Sequence, residues 1–374
     1  MIPPRLRRLL ASIRIPAAVL AAAGLIASAG LIFPAQVETL LGFAGVVAGA
    51  ALLITGADAM VKGAVRLAKV VGLSPFFIGL TVVAFGTSAP ELAASIGATL
   101  KGQGPIAVGN VIGSNIANIC LILGVTAMIR SIRVDPGIVR HDYPLVIIAS
   151  FLASIPLLDG FFERGAGGVI TEGLVTRFDG IVLVAGLVAY VAYNARSGCI
   201  DPAEIEHEVE MELGDAARTL RRDTKTIAFS LVLILIGLAA LVLGAELLVS
   251  GAERIAMAFG VPEIVIGITI VAIGTSVPEL AFSARAATQN HAELALGNVL
   301  GSNVFNMLSV MGIAGLVDPV RVPVEAGARD IWLMLLITAI AWPLMWTRGS
   351  ISRLEGGVLL VIYAVYIGFI VTGS

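Results

Sequence analysis

Gly86-Thr87-Ser88-Ala89-Pro90-Glu91-Leu92 and Gly274-Thr275-Ser276-Val277-Pro278-Glu279-Leu280 are one heptapeptide written twice, with only the fourth position changed. Each copy is followed by Gly-Asn-Val-x-Gly-Ser-Asn-x-x-Asn, at Gly109–Asn118 and again at Gly297–Asn306. The offset is 188 residues throughout. At the same shift Gly56 meets Gly244, Gly63 meets Gly251, Gly72 meets Gly260, and Ser95 meets Ser283. Asp58 meets another acid, Glu246. A register held without a gap over roughly 70 residues is a duplication, not coincidence.

The surroundings of the motif are apolar. Of 374 residues 58% are hydrophobic and only 13% charged, and the mean hydropathy is +0.98. Soluble domains carry about 25% charged residues, so the chain is read as a polytopic membrane protein. Its apolar runs approach 20 residues, which is the length of a helical span. A β-barrel would show alternating segments of about ten residues instead. The net charge of −2 gives no sign of nucleic-acid binding. Cys120 and Cys199 form no disulfide or metal framework. His141, His207 and His291 fall near expected loops, without metal-ligand spacing.

The expected architecture is all-α. Ten spans lie near 39–61, 74–99, 106–129, 143–159, 179–195, 227–249, 262–284, 293–317, 330–346 and 355–373. Residues 1–38 form a basic and then apolar segment, either a signal peptide or an extra helix. The first five spans make a unit over 39–195 and the second five a unit over 227–374. Between them, 196–226 is an acidic cytoplasmic linker, in which Ile205, Val209 and Leu213 repeat every four residues as in an amphipathic helix with solvated acids. No loop is long enough for a separate soluble domain. With the N-terminus inside and the extra helix retained, the cytoplasmic segments hold 18 of the 24 Lys and Arg residues. The positive-inside rule favours that orientation. Five spans separate equivalent positions, and five is odd. The second copy therefore crosses the membrane in the opposite sense, as an inverted-topology repeat, and such folds put their site near the midplane on interrupted helices.

The duplicated residues are a set of oxygen donors. Thr87 and Glu91 are four apart and Ser88 and Glu91 three apart, so they share a helical face. Pro90 removes a backbone donor, and Gly86 adds freedom, so the helix is expected to break and release carbonyls. Thr275, Ser276 and Glu279 repeat the arrangement. Ser114 with Asn118, and Ser302 with Asn306, add hydroxyls and amides on the next span. Hard cations take oxygen ligands, and calcium takes about six to eight. An intramembrane carboxylate is costly and marks function. Two of them balance one calcium ion, or in part several sodium ions. Ser95 and Ser283 alone read as structural, and Asn110, Asn115, Asn298 and Asn303 read mostly as links between helices.

At these residues the chain resembles the cation/calcium exchanger superfamily, and within it the sodium/calcium exchangers with their two α-repeats. The resemblance covers 40–130 and 228–318 at motif level. It implies antiport of calcium against sodium by alternating access, and no enzyme activity. It implies Glu91 and Glu279 as central calcium ligands, with Thr87, Ser88, Thr275 and Ser276 supplying hydroxyl or carbonyl oxygen. Ser114, Asn118, Ser302 and Asn306 would complete sodium subsites, and Ala84 and Ala272 would offer backbone carbonyls. The spans at 39–61 and 227–249 would slide across the other eight. Potassium-dependent members carry Asp where this chain has Asn306, so the resemblance implies potassium independence. No resident cofactor is implied. The expected partners are the two ions and the lipid bilayer, with no nucleic acid and no obligatory protein partner, and the expected location is the prokaryotic plasma (inner) membrane. A proton/calcium antiporter of the same fold, a passive cation channel and a non-transporting scaffold are the competing readings.

Overall fold

A computed structural model describes residues 34–162, 173–197, 224–261, 272–322 and 324–372. The N-terminal segment up to residue 33, the linker over 198–223 with Cys199 and His207, and the first part of the seventh span over 262–271 lie outside the described residues.

The helices follow the apolar runs. α1 is Pro34–Val71, α2 Pro75–Thr87, α3 Ala89–Leu100 and α4 Gly104–Ile129. α5 is Tyr143–Phe162 and α6 Arg177–Ser197. α7 is Thr224–Ala258, α8 the short piece Ala272–Gly274, and α9 Val277–Thr288. α10 is Ala292–Val317, α11 Val324–Arg348 and α12 Arg353–Thr372. Among the described residues eight helices are long and apolar enough to cross a membrane, and the bent pair α2 and α3 makes a ninth. The chain is an integral membrane protein.

Two spans are much longer than the sequence suggests. α1 has 38 residues and α7 has 35. At about 1.5 Å per residue each exceeds the roughly 30 Å hydrocarbon core, so each tilts or projects from it. Lys62, Arg66 and Lys69, expected in a loop, instead ride on the last turns of α1. Apolar length marks the span, but the helix continues until a stop signal. That signal is Gly72, at φ 80°, whose N–H closes on Ala68 O at 2.9 Å.

α1 and α7 lie antiparallel along a glycine seam. Gly42, Gly49 and Gly56 face Gly251, Gly244 and Gly237, and Gly63 faces Ser230. A Cβ on any of these glycines would stand 2.6–2.9 Å from a carbonyl oxygen of the facing helix. Small residues at every seventh position let the two backbones touch. Adding 188 to one member of each pair and subtracting it from the other returns another pair of the same set: Gly56·Gly237 becomes Gly244·Gly49. The two copies are therefore related by a pseudo-two-fold axis, and equivalent helices run in opposite directions. This is the inverted repeat read from the odd number of spans.

α4 and α10 run through the middle and are mostly buried, whereas α12 is mostly exposed. Leu40, Phe43, Val47, Leu235, Ile236 and Leu243 on α1 and α7 face outward, as lipid contact requires. Four short strands join the copies at the two ends. β1 (Ile132–Arg133) pairs antiparallel with β4 (Ser350–Ile351), and β2 (Gly173–Val175) with β3 (Val320–Val322). The orientation expected from Lys and Arg puts both members of the first pair inside and both of the second outside, as the pairing demands.

Candidate functional site

Ser74 opens α2 by accepting the N–H of Phe77 at 3.1 Å. The helix passes through a π-turn at Gly79–Val83 and stops at Ser88, whose backbone leaves the helix at φ −82° and ψ 6°. α3 restarts at Ala89, bent by 42° from α2. Pro90 thus sits in the first turn of a new helix, where its missing N–H leaves no bond unmade. The expected break is present, but the chain turns at Ser88, ahead of the proline. The second copy turns at Ser276, with φ −88° and ψ 3°, before Pro278. Each break leaves its glutamate in a first helical turn, where the N-terminal dipole favours negative charge.

The two breaks meet. Ser88 Oγ donates to Glu279 Oε1 at 3.3 Å, and Ser276 Oγ donates to Glu91 Oε1 at 3.5 Å. Each serine of one copy reaches the carboxylate of the other, and both glutamates are only 1% exposed. Thr275 and Ser114 also lie beside Glu91, and Thr87 beside Glu279. Thr87 Oγ1 further donates to Asn298 Oδ1 at 3.1 Å and lies 3.5 Å from Ala84 O. Ala84 is fully buried, and its carbonyl already accepts Ser88 N–H at 3.0 Å, leaving one further lone pair. Ala272 begins α8, two residues before Gly274.

α4 and α10 supply the amides. Asn118 Nδ2 donates to Asn303 Oδ1 at 3.0 Å, and Asn306 Nδ2 to Asn115 Oδ1 at 3.2 Å. Asn110 Nδ2 holds Ser95 Oγ at 2.9 Å and Glu91 O at 3.1 Å, and Asn298 Nδ2 holds Ser283 Oγ at 3.1 Å. The four asparagines read as links between helices do link them, and they also aim the groups around the carboxylates. Their exact repetition was the signal in the sequence. Ser114 and Ser302 are buried beside them on the same two helices.

α4 widens into a π-turn at Asn118–Ile122, and α10 into one at Phe305–Val310. Such turns re-aim side chains at functional sites. No feature of a single sequence announces them, and they were not anticipated. Close approach by α2 requires glycines on α10: a Cβ on Gly297 would strike Phe76 O, and one on Gly301 would strike Leu80 O.

Six oxygens of the expected ligand residues are buried without a hydrogen-bond partner: Glu91 Oε2, Glu279 Oε2, Thr275 Oγ1, Ser302 Oγ, Asn118 Oδ1 and Asn306 Oδ1. Only ten side-chain polar atoms among the described residues are in that state. An unsatisfied buried group costs about 1–3 kcal/mol. Acceptors concentrated in this way suit a cation as the missing partner. The donor set is hard oxygen throughout, and among the described residues no group of three or more His, Cys, Asp or Glu is placed to hold a metal ion.

A cavity of about 220 Å³ adjoins the site on one side, lined by Pro90, Val242, Glu246, Gly274, Thr275 and Pro278 among others. At the symmetry-related position on α1, Asp58 is covered by Arg285 and Gln289.

A family model described as "Sodium/calcium exchanger protein" matches residues 41–196 and 229–372. The chain is 32% identical over 321 residues to the inner membrane protein YrbG of Escherichia coli, covering 86% of this chain and 94% of that one. It is 30% identical over 342 residues to the sodium/calcium exchanger MaX1 of Methanosarcina acetivorans, covering 85% and 95%. Its structure matches that of the sodium-calcium exchanger NCX_Mj with a TM-score of 0.73 and 31% identity, covering 88% of this chain and 99% of that chain.

Proposed function

The chain belongs to the sodium/calcium exchanger family, a family of transporters, and we propose that it exchanges calcium for sodium by alternating access at the site between its two copies. The observation that carries this reading is the reciprocal crossing of Ser88 to Glu279 and Ser276 to Glu91, with the second carboxylate oxygen of each glutamate left without a protein partner. Calcium is the central substrate, bridged by Glu91 and Glu279. Thr87, Ser88, Thr275 and Ser276 add hydroxyl oxygen, and Ala84 and Ala272 add backbone carbonyls. Sodium ions use the same carboxylates together with Ser114, Asn118, Ser302 and Asn306. Two fixed negative charges cannot satisfy a full load of both ions, so the ions compete, and competition at one site couples their movement. The functional units are 39–195 and 227–374, joined through 196–226, and no resident cofactor takes part.

Radiolabelled calcium uptake into proteoliposomes tests the reading. An outward sodium gradient drives uptake, whereas a pH gradient alone does not. The opposite result would identify a proton/calcium antiporter. Calcium on the far side accelerates uptake, as a passive channel cannot show.

Asn306 carries a prediction of its own. A neutral amide in place of an acid leaves no third charge for potassium, so flux is independent of potassium. In Asn306→Asp an extra buried carboxylate demands a further cation, and flux becomes stimulated by potassium several-fold. Equal rates with and without potassium in the variant would show that this position does not set ion selectivity.

A further inference from the structure

Asp58 and Glu246 are equivalent acids in the two copies, yet their surroundings differ. Asp58 Oδ1 accepts Arg285 Nη2 at 2.7 Å, Arg285 Nε at 3.1 Å and Gln289 Nε2 at 2.5 Å. Its Oδ2 accepts Lys62 Nζ at 2.6 Å. Arg285 and Gln289 lie at the end of α9, the helix whose first turn holds Glu279. The contact therefore ties α1 to the helix that carries a carboxylate of the site. Glu246 makes no such bonds among the described residues and lines the cavity that reaches Thr275. The residues equivalent to Arg285 and Gln289 are Gly97 and Lys101. A Cβ on Gly97 would meet nothing within 4 Å, so that side is open.

In an inverted repeat the opposite state arises when each copy takes up the other's conformation. The contact Asp58·Gln289 then maps onto Glu246·Lys101. We propose that these two contacts are alternating latches. Asp58 closes on Arg285 and Gln289 while the cavity beside Glu246 is open, and Glu246 closes on Lys101 when Asp58 lets go. On the orientation expected from Lys and Arg, Asp58 lies in the cytoplasmic half of α1 and Glu246 in the outer half of α7. The state described is then sealed inside and open outside. The two latches are unequal. Arg285 offers Asp58 a two-pronged, charge-assisted fork, whereas Lys101 offers Glu246 a single point charge. This asymmetry biases the resting equilibrium towards the outward-open state. The inference rests on the alternating-access reading above.

The test uses the full chain, with Cys120→Ala and Cys199→Ala, carrying Lys101→Cys and Glu246→Cys, in proteoliposomes that are also assayed for sodium-driven calcium uptake before oxidation. Disulfide yield between the two new cysteines reports how often the outer side closes. Arg285→Ala should raise that yield about threefold or more, and Arg285→Lys should give an intermediate rise. Asp58→Asn is the second variant and should act in the same direction. A yield unchanged by all three substitutions, in vesicles that exchange normally, would overturn the latch and leave the exchange reading intact. Failure of exchange before oxidation, in the protein retaining Lys101, Glu246, Asp58 and Arg285, would instead strike the reading on which the latch depends.

Discussion

Glu91→Gln and Glu279→Gln are each expected to abolish calcium transport while the protein still folds. Gln keeps the size of the side chain, and Ser88 or Ser276 can still donate to its carbonyl oxygen. What is lost is one of two buried negative charges. Removing the carboxylate from a buried carboxylate–calcium pair costs about 3–5 kcal/mol. At about 1.4 kcal/mol per tenfold, calcium affinity falls by at least about 100-fold. Folding should survive, because each carboxylate already leaves one oxygen without a protein partner, and neutralising it relieves desolvation. The two substitutions should act alike, since each glutamate meets the serine of the other copy. Calorimetric titration with calcium, alongside radiolabelled flux, checks the outcome. Transport retained in either variant would mean that the site is not built symmetrically from both.

Gly49→Val is expected to damage the seam between α1 and α7 more than any surface change of equal size. A Cβ there stands 2.6 Å from both Gly244 O and Leu248 N, and 2.9 Å from Leu248 Cα. These are backbone atoms and cannot rotate away. Overfilling a close contact costs about 1–3 kcal/mol where neighbours can adjust, and more where they cannot. The expected result is a clear fall in the thermal midpoint measured by size-exclusion chromatography after heating, and reduced flux. Reduced flux follows because the seam holds together the pair of helices that the family resemblance assigns to sliding. Gly109→Ala is the control: its Cβ would meet nothing within 4 Å. Alanine is favoured over glycine in a helix by up to about 1 kcal/mol, so that variant should be equal to or slightly more stable than the parent. A Gly49→Val protein that melts with the parent would show that the two helices are not in backbone contact.

Much of the site was legible because its chemistry is local. Thr87, Ser88, Pro90 and Glu91 are close in sequence, and a helix puts positions three and four apart on one face whatever the rest of the fold does. The second copy repeats the same residues at the same spacing. The position of the break was less legible. Pro90 pointed to an interruption, but the turn falls at Ser88, because a proline is accommodated more easily at the start of a helix than inside one. α1 runs past the end of its apolar stretch for a related reason. Lys62, Arg66 and Lys69 end the apolar run, yet they do not oppose helix formation, and only Gly72 does. The roles of Asn110, Asn115, Asn298 and Asn303 were half legible: repetition marked them, but the partners that they orient are on other helices.

By itself the sequence determined the membrane class, the duplication, the inversion and the oxygen donor set. Composition, a fixed offset and a parity of spans are properties of the chain alone, and lipid makes the apolar composition and the helical spans nearly compulsory. The tertiary structure decided the rest: that Ser88 meets Glu279 and Ser276 meets Glu91, that π-turns re-aim α4 at Asn118 and α10 at Asn306, and that Asp58 is engaged while Glu246 faces a cavity. A duplicated sequence is nearly the same on both sides of its pseudo-two-fold axis, so it describes both end states equally well. Which side is closed depends on contacts between residues more than 200 positions apart, and only the folded arrangement of α1 against α9 makes them.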